Sequence, residues 1–336
     1  MTKSTFAVAI LAIASTASAM QAEALKSFAN SYESIPDFNN DFIPEEGVDY
    51  CYALALSGGG SFGTYETGVV WGLLHYGNPD YYRWDVFTGV SAGSINASMF
   101  SVWPKGSEVE MSENVSYMCT ITTPGDTLAM WDGPFPGPVN GLLFHKGLFD
   151  ESPMTNYMDD YFKDFDGIKK KVVISAVDVE SGVYTPFDES VGIENLGTIV
   201  RASASIPFAF EPTHFNGHWY MDGGTVWNVN LVDAVDKCVD MGYDEEHIVL
   251  DIAITEFLHM DQEEDVGTTI SNFERKRAIR KYYKTMNDVV EFAQTRPNVN
   301  YRHFFKPSQE LGTTKDELDF RNSTTWKFQE IGRADA

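Results

Sequence analysis

The sequence predicts an α/β protein with a mainly parallel central sheet. Two successive units of strand, glycine-rich turn and helix occupy residues 50–102, an order typical of parallel sheets covered by helices. Several later apolar runs have the length of buried strands. The chain has 336 residues, 43% of them hydrophobic, with no repeat, linker or change of composition. It is therefore predicted to form one large domain at 49–336, and disordered and low-complexity classes are excluded.

The first residues have the pattern of a cleaved secretory signal. Lys3 is followed by an apolar run at 6–14, and Ala17-Ser18-Ala19 matches the small-x-small sequence that a signal peptidase needs. The alternative, an N-terminal membrane anchor, needs about 20 apolar residues, roughly twice the length of this run. Residues 1–19 are therefore predicted to be a signal peptide and 20–48 a leader, and we expect a secreted protein.

The charge of the chain limits its partners. It carries 24 Lys and Arg against 49 Asp and Glu, a formal net charge of -25. Nucleic-acid binding is excluded as a function class, because neutralisation of phosphates by Lys and Arg supplies most of that affinity. Electrostatic adhesion to an anionic membrane is disfavoured for the same reason.

The three cysteines, Cys51, Cys119 and Cys238, lack the spacing of a metal site. Because their number is odd, at most one disulfide can form between them, and a secreted protein would permit it. Cys51 lies in a strand-like apolar run and Cys238 on an apolar helical face, so buried free thiols are an equal alternative.

The elements alternate as expected of an α/β domain. A buried strand at 50–56 stops at a run of glycines, and a helix follows at 65–76. A second strand at 84–88 and a second helix at 92–102 repeat the pattern. Further strands are predicted at 171–177, 183–187, 248–254 and 302–305, and further helices at 194–204, at 272–292 and from an N-cap at Ser152.

Residues 104–145 interrupt this alternation. They are rich in Pro, Gly and Thr and show no sustained periodicity, which predicts a long surface excursion. Four apolar residues within it could form a lip that meets lipid or could pack as a local core: Phe135, Leu142, Leu143 and Phe144. We refer to these four residues as the apolar lip.

A G-x-S-x-G sequence at 89–93 lies between the second strand and the second helix. In this context Gly89 and Gly93 permit a strained turn that exposes the hydroxyl of Ser91 above the helix N-terminus. Ser91 is therefore the candidate nucleophile, with a tight turn holding a structural serine as the alternative. Asn96 begins a glycosylation sequon one turn into this helix, and we expect it to be inaccessible because the helix must pack on the sheet.

The glycines that follow the first strand form a candidate anion site. Gly58, Gly59, Gly60 and Gly63 lie at a helix start, where bare backbone N–H groups can hold a phosphate or an oxyanion. A nucleotide site is disfavoured because no Lys-Ser/Thr follows the glycines and no acidic residue ends a second strand. Together with an activated serine, an oxyanion hole is the preferred interpretation.

A nucleophilic serine needs a base, and Asp222 is the candidate. It precedes Gly223 and Gly224 on a sharp turn, although the same tripeptide is also common in ordinary turns. The alternative is a Ser-Asp-His triad whose histidine would come last, at one of His247, His259 and His303. None of these histidines lies on a glycine-marked loop after a strand, so a two-residue Ser-Asp site is favoured.

In these blocks the sequence resembles the patatin-like phospholipases. The resemblance spans about residues 50–254 and rests on the glycine block at 58–63, the elbow at 89–93 and the Asp-Gly-Gly block at 222–224. Connecting segments at 147–150, 177–182 and 201–207 also match. It implies a three-layer α/β/α fold and a lipid acyl hydrolase, of phospholipase A or lysophospholipase type. The implied dyad is Ser91 as nucleophile and Asp222 as proton acceptor, with Gly58, Gly59 and Gly60 as the oxyanion hole.

The same resemblance implies a lipid substrate, transient contact with a membrane or micelle, and neither cofactor nor metal. One position departs from the family pattern, which usually has Arg or Lys in the variable pair of the glycine block. Here that pair is Ser61-Phe62. A catalytically weak or vestigial storage or lipid-binding protein is therefore the alternative to an active hydrolase.

Overall fold

The computed structural model describes residues 42–135, 137–257, 267–313 and 316–336. The predicted signal peptide at 1–19, most of the leader and His259 lie outside these ranges. The described residues form an eight-stranded sheet in the order β5-β6-β3-β2-β1-β7-β8, and β4 also pairs with β3. The strands are β1 (Cys51–Leu56), β2 (Val86–Val90), β3 (Lys171–Asp178), β4 (Tyr184–Asp188), β5 (Thr213–Phe215), β6 (His218–Asp222), β7 (Ile248–Ala253) and β8 (Asn300–Phe305).

The centre of the sheet is parallel. Strand β1 pairs in parallel with β2 and β7, β2 with β3, and β7 with β8. Antiparallel pairing is confined to β3 with β4 and β6, and to β5 with β6. Strands that are covered on both faces read as continuous apolar runs, as in β1 and β2. The prediction of an α/β fold with a mainly parallel sheet is confirmed.

Helices cover both faces of the sheet, in three layers. They are α1 (Gly63–Tyr76), α2 (Ala92–Ser101), α3 (Glu108–Ile121), α4 (Pro124–Thr127), α5 (Gly137–Phe144), α6 (Ser152–Phe162), α7 (Ile193–Ala204), α8 (Leu231–Asp240), α9 (Thr269–Thr295) and α10 (Asn322–Asp335). Leu54 and Leu56 of β1 pack into the core that includes residues of α1, α2, α3 and α10. Ala53 and Ala55, on the opposite face of β1, pack into the core that includes α8 and α9.

Strands β2 and β6 both pair with β3 along the same edge, one after the other. Val90, the last residue of β2, pairs with Ser175. Asp222, the last residue of β6, pairs with Ala176, the next residue of β3. Strand β4 pairs with both parts of β3, so β2 and β6 must share the opposite edge. Because β6 runs antiparallel to β3 and β2 runs parallel to it, the carboxyl ends of β2 and β6 meet.

Two parts of the chain differ from the expectation from sequence. The prediction of a long surface excursion at 104–145 is wrong in part. This segment contains the helix α3, whose buried residues Met111, Val115 and Cys119 recur every four residues. The Pro- and Gly-rich residues on either side obscured this short periodic stretch. The C-terminal helix α10 was not predicted. It buries Phe328 and Ile331 against α1, although its sequence is mostly polar.

The cysteines form one disulfide, between Cys51 of β1 and Cys238 of α8. It links the centre of the sheet to the helix that covers one of its faces. Cys119 is a buried free thiol on α3. The sequence limited the chain to a single bridge, and the structure selects the pair.

Candidate active site

Ser91 stands on a sharp turn between β2 and α2. Its backbone has φ 52° and ψ -120°, in a region that residues with a side chain rarely adopt. The turn leaves no room for side chains beside it. A Cβ on Gly89 would lie 2.2 Å from the carbonyl oxygen of Gly93, and one on Gly93 would lie 2.5 Å from that of Leu56. The two glycines of the elbow are therefore required by close backbone contact.

A hydroxyl from α7 holds this turn in place. The Ser91 N–H donates to Oγ of Ser203 at 2.9 Å, and the Ser203 hydroxyl donates to the carbonyl of Ser175 on β3 at 2.7 Å. The buried Ser203 thus connects the elbow to the strand that also carries β6. Sequence reasoning placed Ser203 in a connecting segment and assigned it no part in the site.

Asp222 lies against Ser91. The Gly224 N–H donates to its Oδ1 at 2.7 Å, and interaction with the Ser91 hydroxyl lowers the pKa of its carboxyl. Its own N–H donates to the carbonyl of Ser205 at 2.9 Å, which fixes the turn. Burial raises the pKa of Asp222 to about 6, although the Ser91 hydroxyl and the Gly224 N–H oppose this shift. The structure therefore pairs a serine hydroxyl with a carboxylate of unusually high proton affinity.

Lys284 of α9 supports the Asp-Gly-Gly turn. Its Nζ donates to the carbonyl of Gly224 at 2.9 Å, and its charge lowers the pKa of Asp222. In the same turn, Gly223 has no space for a side chain, because a Cβ there would lie 2.4 Å from the carbonyl oxygen of Ser175. The lysine is 62 residues from Asp222 in the chain, so sequence reasoning did not place it in the site.

The glycine loop after β1 approaches Ser91 closely. A Cβ on Gly58 would lie 3.0 Å from the Cβ of Ser91, and Gly60 has φ +58°. The N–H of Gly58 donates to the carbonyl of Asn228 at 2.9 Å, so it is engaged within the fold. The N–H groups of Gly59 and Gly60 have no acceptor among the described residues. Of the three glycines predicted to form the oxyanion hole, Gly59 and Gly60 therefore have N–H groups without an acceptor among the described residues, whereas Gly58 does not.

A buried carboxylate anchors this loop from α1. Glu66 accepts from the N–H of Ser57 at 2.7 Å and from Nδ2 of Asn96 at 2.9 Å. Asn96 is 2% exposed, so its sequon is inaccessible, as expected from its position on α2. Glu66 was not predicted to support the site. The available signal in the sequence was an acidic residue within an otherwise apolar predicted helix. Gly63 allows α1 to approach α2, since a Cβ there would lie 2.6 Å from that of Ala92.

The departure from the family pattern at Ser61-Phe62 has a structural explanation. The Ser61 hydroxyl donates to the carbonyl of Asp316 at 2.7 Å, and the Phe62 ring contacts the Phe328 ring edge to face at 5.2 Å. Both residues are buried. The positions where the family usually has a cation therefore bind the C-terminal segment and α10 in this chain.

A narrow pocket opens beside Ser91. Its walls are almost entirely apolar, and it has room for about one water molecule. The lining residues are Gly60, Ser91, Ala92, Ile95, Thr127, Glu151, Met154, Ala204, Ile206, Phe210, Leu318 and Phe320. None of the described histidines lines it. Among the described residues, no group of three His, Cys, Asp or Glu side chains could hold a metal ion.

Comparison with known proteins identifies the family of the chain. The profile of the patatin-like phospholipase family matches residues 54–235, a range that includes all three sequence blocks. "Probable lipid hydrolase 463L" of Invertebrate iridescent virus 6 is 27% identical over 197 residues, which cover 56% of this chain and 64% of that protein. The chain thus matches somewhat less than two thirds of this relative's length.

Two solved structures show distant likeness. VipD from Legionella pneumophila aligns over 86% of this chain and 67% of its own, with 12% identity and a TM-score of 0.38. The type III effector protein ExoU aligns over 72% of this chain and 53% of its own, with 12% identity and a TM-score of 0.25. These scores are too low to carry an argument about function. The family profile covers more than half of the chain, and the protein belongs to the patatin-like phospholipase family.

Proposed function

We propose that the protein is a carboxylic ester hydrolase that removes acyl chains from lipids by means of Ser91 and Asp222. The observation that carries this proposal is the Ser91 hydroxyl on a strained turn beside an apolar pocket, with the buried Asp222 carboxyl close enough for the two groups to interact. Nucleophilic catalysis needs a hydroxyl next to its base. Membership of a lipid hydrolase family supports the same chemistry.

The proposed reaction has two steps. Ser91 Oγ attacks the ester carbonyl carbon while its proton passes to Asp222, and the carbonyl oxygen becomes an oxyanion. The N–H groups of Gly59 and Gly60 then stabilise this oxyanion. The tetrahedral intermediate collapses, the alcohol leaves with the proton from Asp222, and an acyl-serine remains. Water then attacks the acyl-serine, Asp222 takes its proton, and the fatty acid leaves as Ser91 regains a proton.

A serine-reactive fluorophosphonate tests the nucleophile. We expect it to label the wild-type protein and the Ser190→Ala variant, because Ser190 is an exposed serine outside the site. We expect no labelling of Ser91→Ala. Labelling would be measured by mass spectrometry of the intact protein and its peptides. If folded wild-type protein is not labelled, the vestigial binding protein is the better interpretation.

The pH dependence of hydrolysis should follow the titration of Asp222. The base acts only when ionised, and burial raises its pKa to about 6. We therefore expect kcat/KM to be constant above pH 7 and to fall about tenfold per pH unit below the pKa. Initial rates on a soluble ester between pH 4.5 and 8 would measure this, with folding followed in parallel by circular dichroism. A profile that is flat down to pH 5 would contradict the role of Asp222.

We also propose that the apolar lip contacts the lipid interface. All four of its side chains are at least 48% exposed, on or next to α5. The backbone of Gly141 in α5 lies close to the backbone of Leu148. The next residue, Phe149, forms a β-bridge with Phe210, which lines the pocket. The lip therefore lies near the mouth of the pocket. With a net charge of -25, apolar contact is the available means of meeting lipid.

Secretion is the localisation that we propose. The signal-like sequence at 1–19 motivates it, and the disulfide between Cys51 and Cys238 supports it because such bonds persist in oxidising compartments. No helix among the described residues is long and apolar enough to cross a membrane.

A further inference from the structure

The pocket beside Ser91 contains one carboxyl group that the proposed reaction does not use. Glu151 lies immediately before α6 and is 1% exposed. It lines the same narrow pocket as Ser91, while most of the other walls are apolar. A pocket that held only hydrocarbon would not need a carboxyl group, because burying one is unfavourable.

Only one oxygen of Glu151 has a partner. Oε2 lies 3.1 Å from the Ser205 hydroxyl, whereas Oε1 is buried and has no hydrogen-bond partner among the described residues. Buried polar atoms are normally paired, so an unpaired atom on a residue that lines the pocket indicates a partner on the substrate. Oε1 is such an atom.

The hydrogen bonds of Ser205 determine what that partner must be. The single Ser205 proton has a good acceptor in the carbonyl of Arg201, at 2.8 Å. The same proton can instead go to Oε2 of Glu151, at 3.1 Å. Oε1 of a neutral Glu151 then carries the acid proton and donates it, whereas Oε1 of an ionised Glu151 accepts. A substrate group that can both donate and accept therefore suits either state.

We propose that Glu151 selects acyl chains that carry a hydroxyl group within a few carbons of the ester carbonyl. The hydroxyl lies close to the ester because one narrow pocket is lined by both Ser91 and Glu151. The hydroxyl occupies this water-sized pocket and bonds to Oε1, while the rest of the acyl chain lies outside the pocket. A ketone can only accept, so it can bond to a neutral Glu151 but not to an ionised one.

Burial supports a neutral Glu151, since it raises the pKa of this carboxyl well above its usual range, against the lowering effect of the Arg201 charge. A neutral acid is compatible with the adjacent base, because a second buried negative charge would hinder the ionisation of Asp222. The hydroxyl preference should therefore persist at neutral pH.

The inference rests on the proposed hydrolysis, so its test has a kinetic arm and a binding arm. The kinetic arm compares kcat/KM for ethyl octanoate with the 2-, 3- and 4-hydroxy esters and the 3-oxo ester. The binding arm measures Kd for the same esters on Ser91→Ala by calorimetry. We expect one hydroxy ester to exceed ethyl octanoate by at least about tenfold in both arms, because sites built for a hydroxyl reject analogues without it.

Variants of the pocket identify the residue responsible. The Glu151→Met variant keeps a side chain of similar size but removes the carboxyl oxygens. The ratio of kcat/KM for the hydroxy ester to kcat/KM for ethyl octanoate should therefore fall to near one. The Glu151→Gln variant retains an acceptor oxygen and should keep most of this ratio. Met154→Leu changes an apolar wall of the same pocket and should keep the ratio. A Glu151→Met variant that keeps the full preference would overturn the assignment, and the wild-type comparison stands even if that variant fails to fold.

The two arms separate the two proposals. Hydrolysis of ethyl octanoate at a rate equal to or above those of all hydroxy esters, with equal binding, would overturn the hydroxyl preference alone. Preferential binding of a hydroxy ester without any hydrolysis would support the preference and overturn the proposed reaction. If the protein neither cleaves nor binds any ester, both proposals are overturned.

Discussion

Replacement of Asp222 by Asn is expected to lower kcat/KM for a soluble ester by about 10²–10⁴-fold, the usual contribution of a positioned base. Asn keeps the shape of the side chain and an oxygen that can accept from Gly224, but it cannot take the proton of Ser91. Labelling of Ser91 by a fluorophosphonate should slow in parallel. Initial rates and labelling rates on the purified variant would measure both effects.

The control variants address the alternative of a Ser-Asp-His triad. His247→Ala and His303→Ala should each retain activity, because neither histidine lines the pocket at Ser91. His259→Ala should also retain it. Full activity in Asp222→Asn would contradict the dyad, and loss of activity in one histidine variant would then favour a triad.

Loss of the disulfide is expected to have the largest effect on stability. The Cys238→Ala variant should lower the free energy of unfolding by about 2–5 kcal/mol, as is typical for a native disulfide. Cys51 and Cys238 are separated by 187 residues, so the bond closes a long loop in the unfolded chain. Urea denaturation with and without a reductant would measure the change.

Cys119→Ala is the matched control for this experiment. Cys119 is a buried free thiol, so its replacement should cost less, and the variant should still lose stability when reduced. The stability of Cys238→Ala should not respond to the reductant. If thiol titration proves the wild-type protein reduced and its stability is unchanged, the predicted contribution of the disulfide is wrong.

Much of the fold could be predicted because it depends on local patterns. The strands β1, β2 and β3 are short buried runs bounded by turns, and no end differs from the predicted segments by more than two residues. The candidate elbow was visible because a turn this tight leaves no space for side chains on Gly89 and Gly93. Such requirements act over a few residues, so a short motif is enough to express them.

Other parts of the site depend on contacts between distant segments. Lys284 reaches the site only after α9 packs against the sheet, and Glu151 only after α6 packs against α7. No pattern around either residue indicates this. The engagement of the Gly58 N–H depends on Asn228, 170 residues further along the chain. The sequence also allowed three cysteine pairings, and packing of α8 on β1 chose among them.

The chain's own residues thus specified the class of fold, the strained turn at Ser91 and the candidate base at Asp222. Whether that serine and that carboxylate meet was decided only by the tertiary structure. Strand β3 holds β2 and β6 on one edge in registers that differ by a single residue, Ser175 to Ala176, so their carboxyl ends adjoin. Local sequence specifies local steric requirements, whereas the pairing of β3 with strands that lie tens of residues away in the chain is determined by the packing of the whole domain.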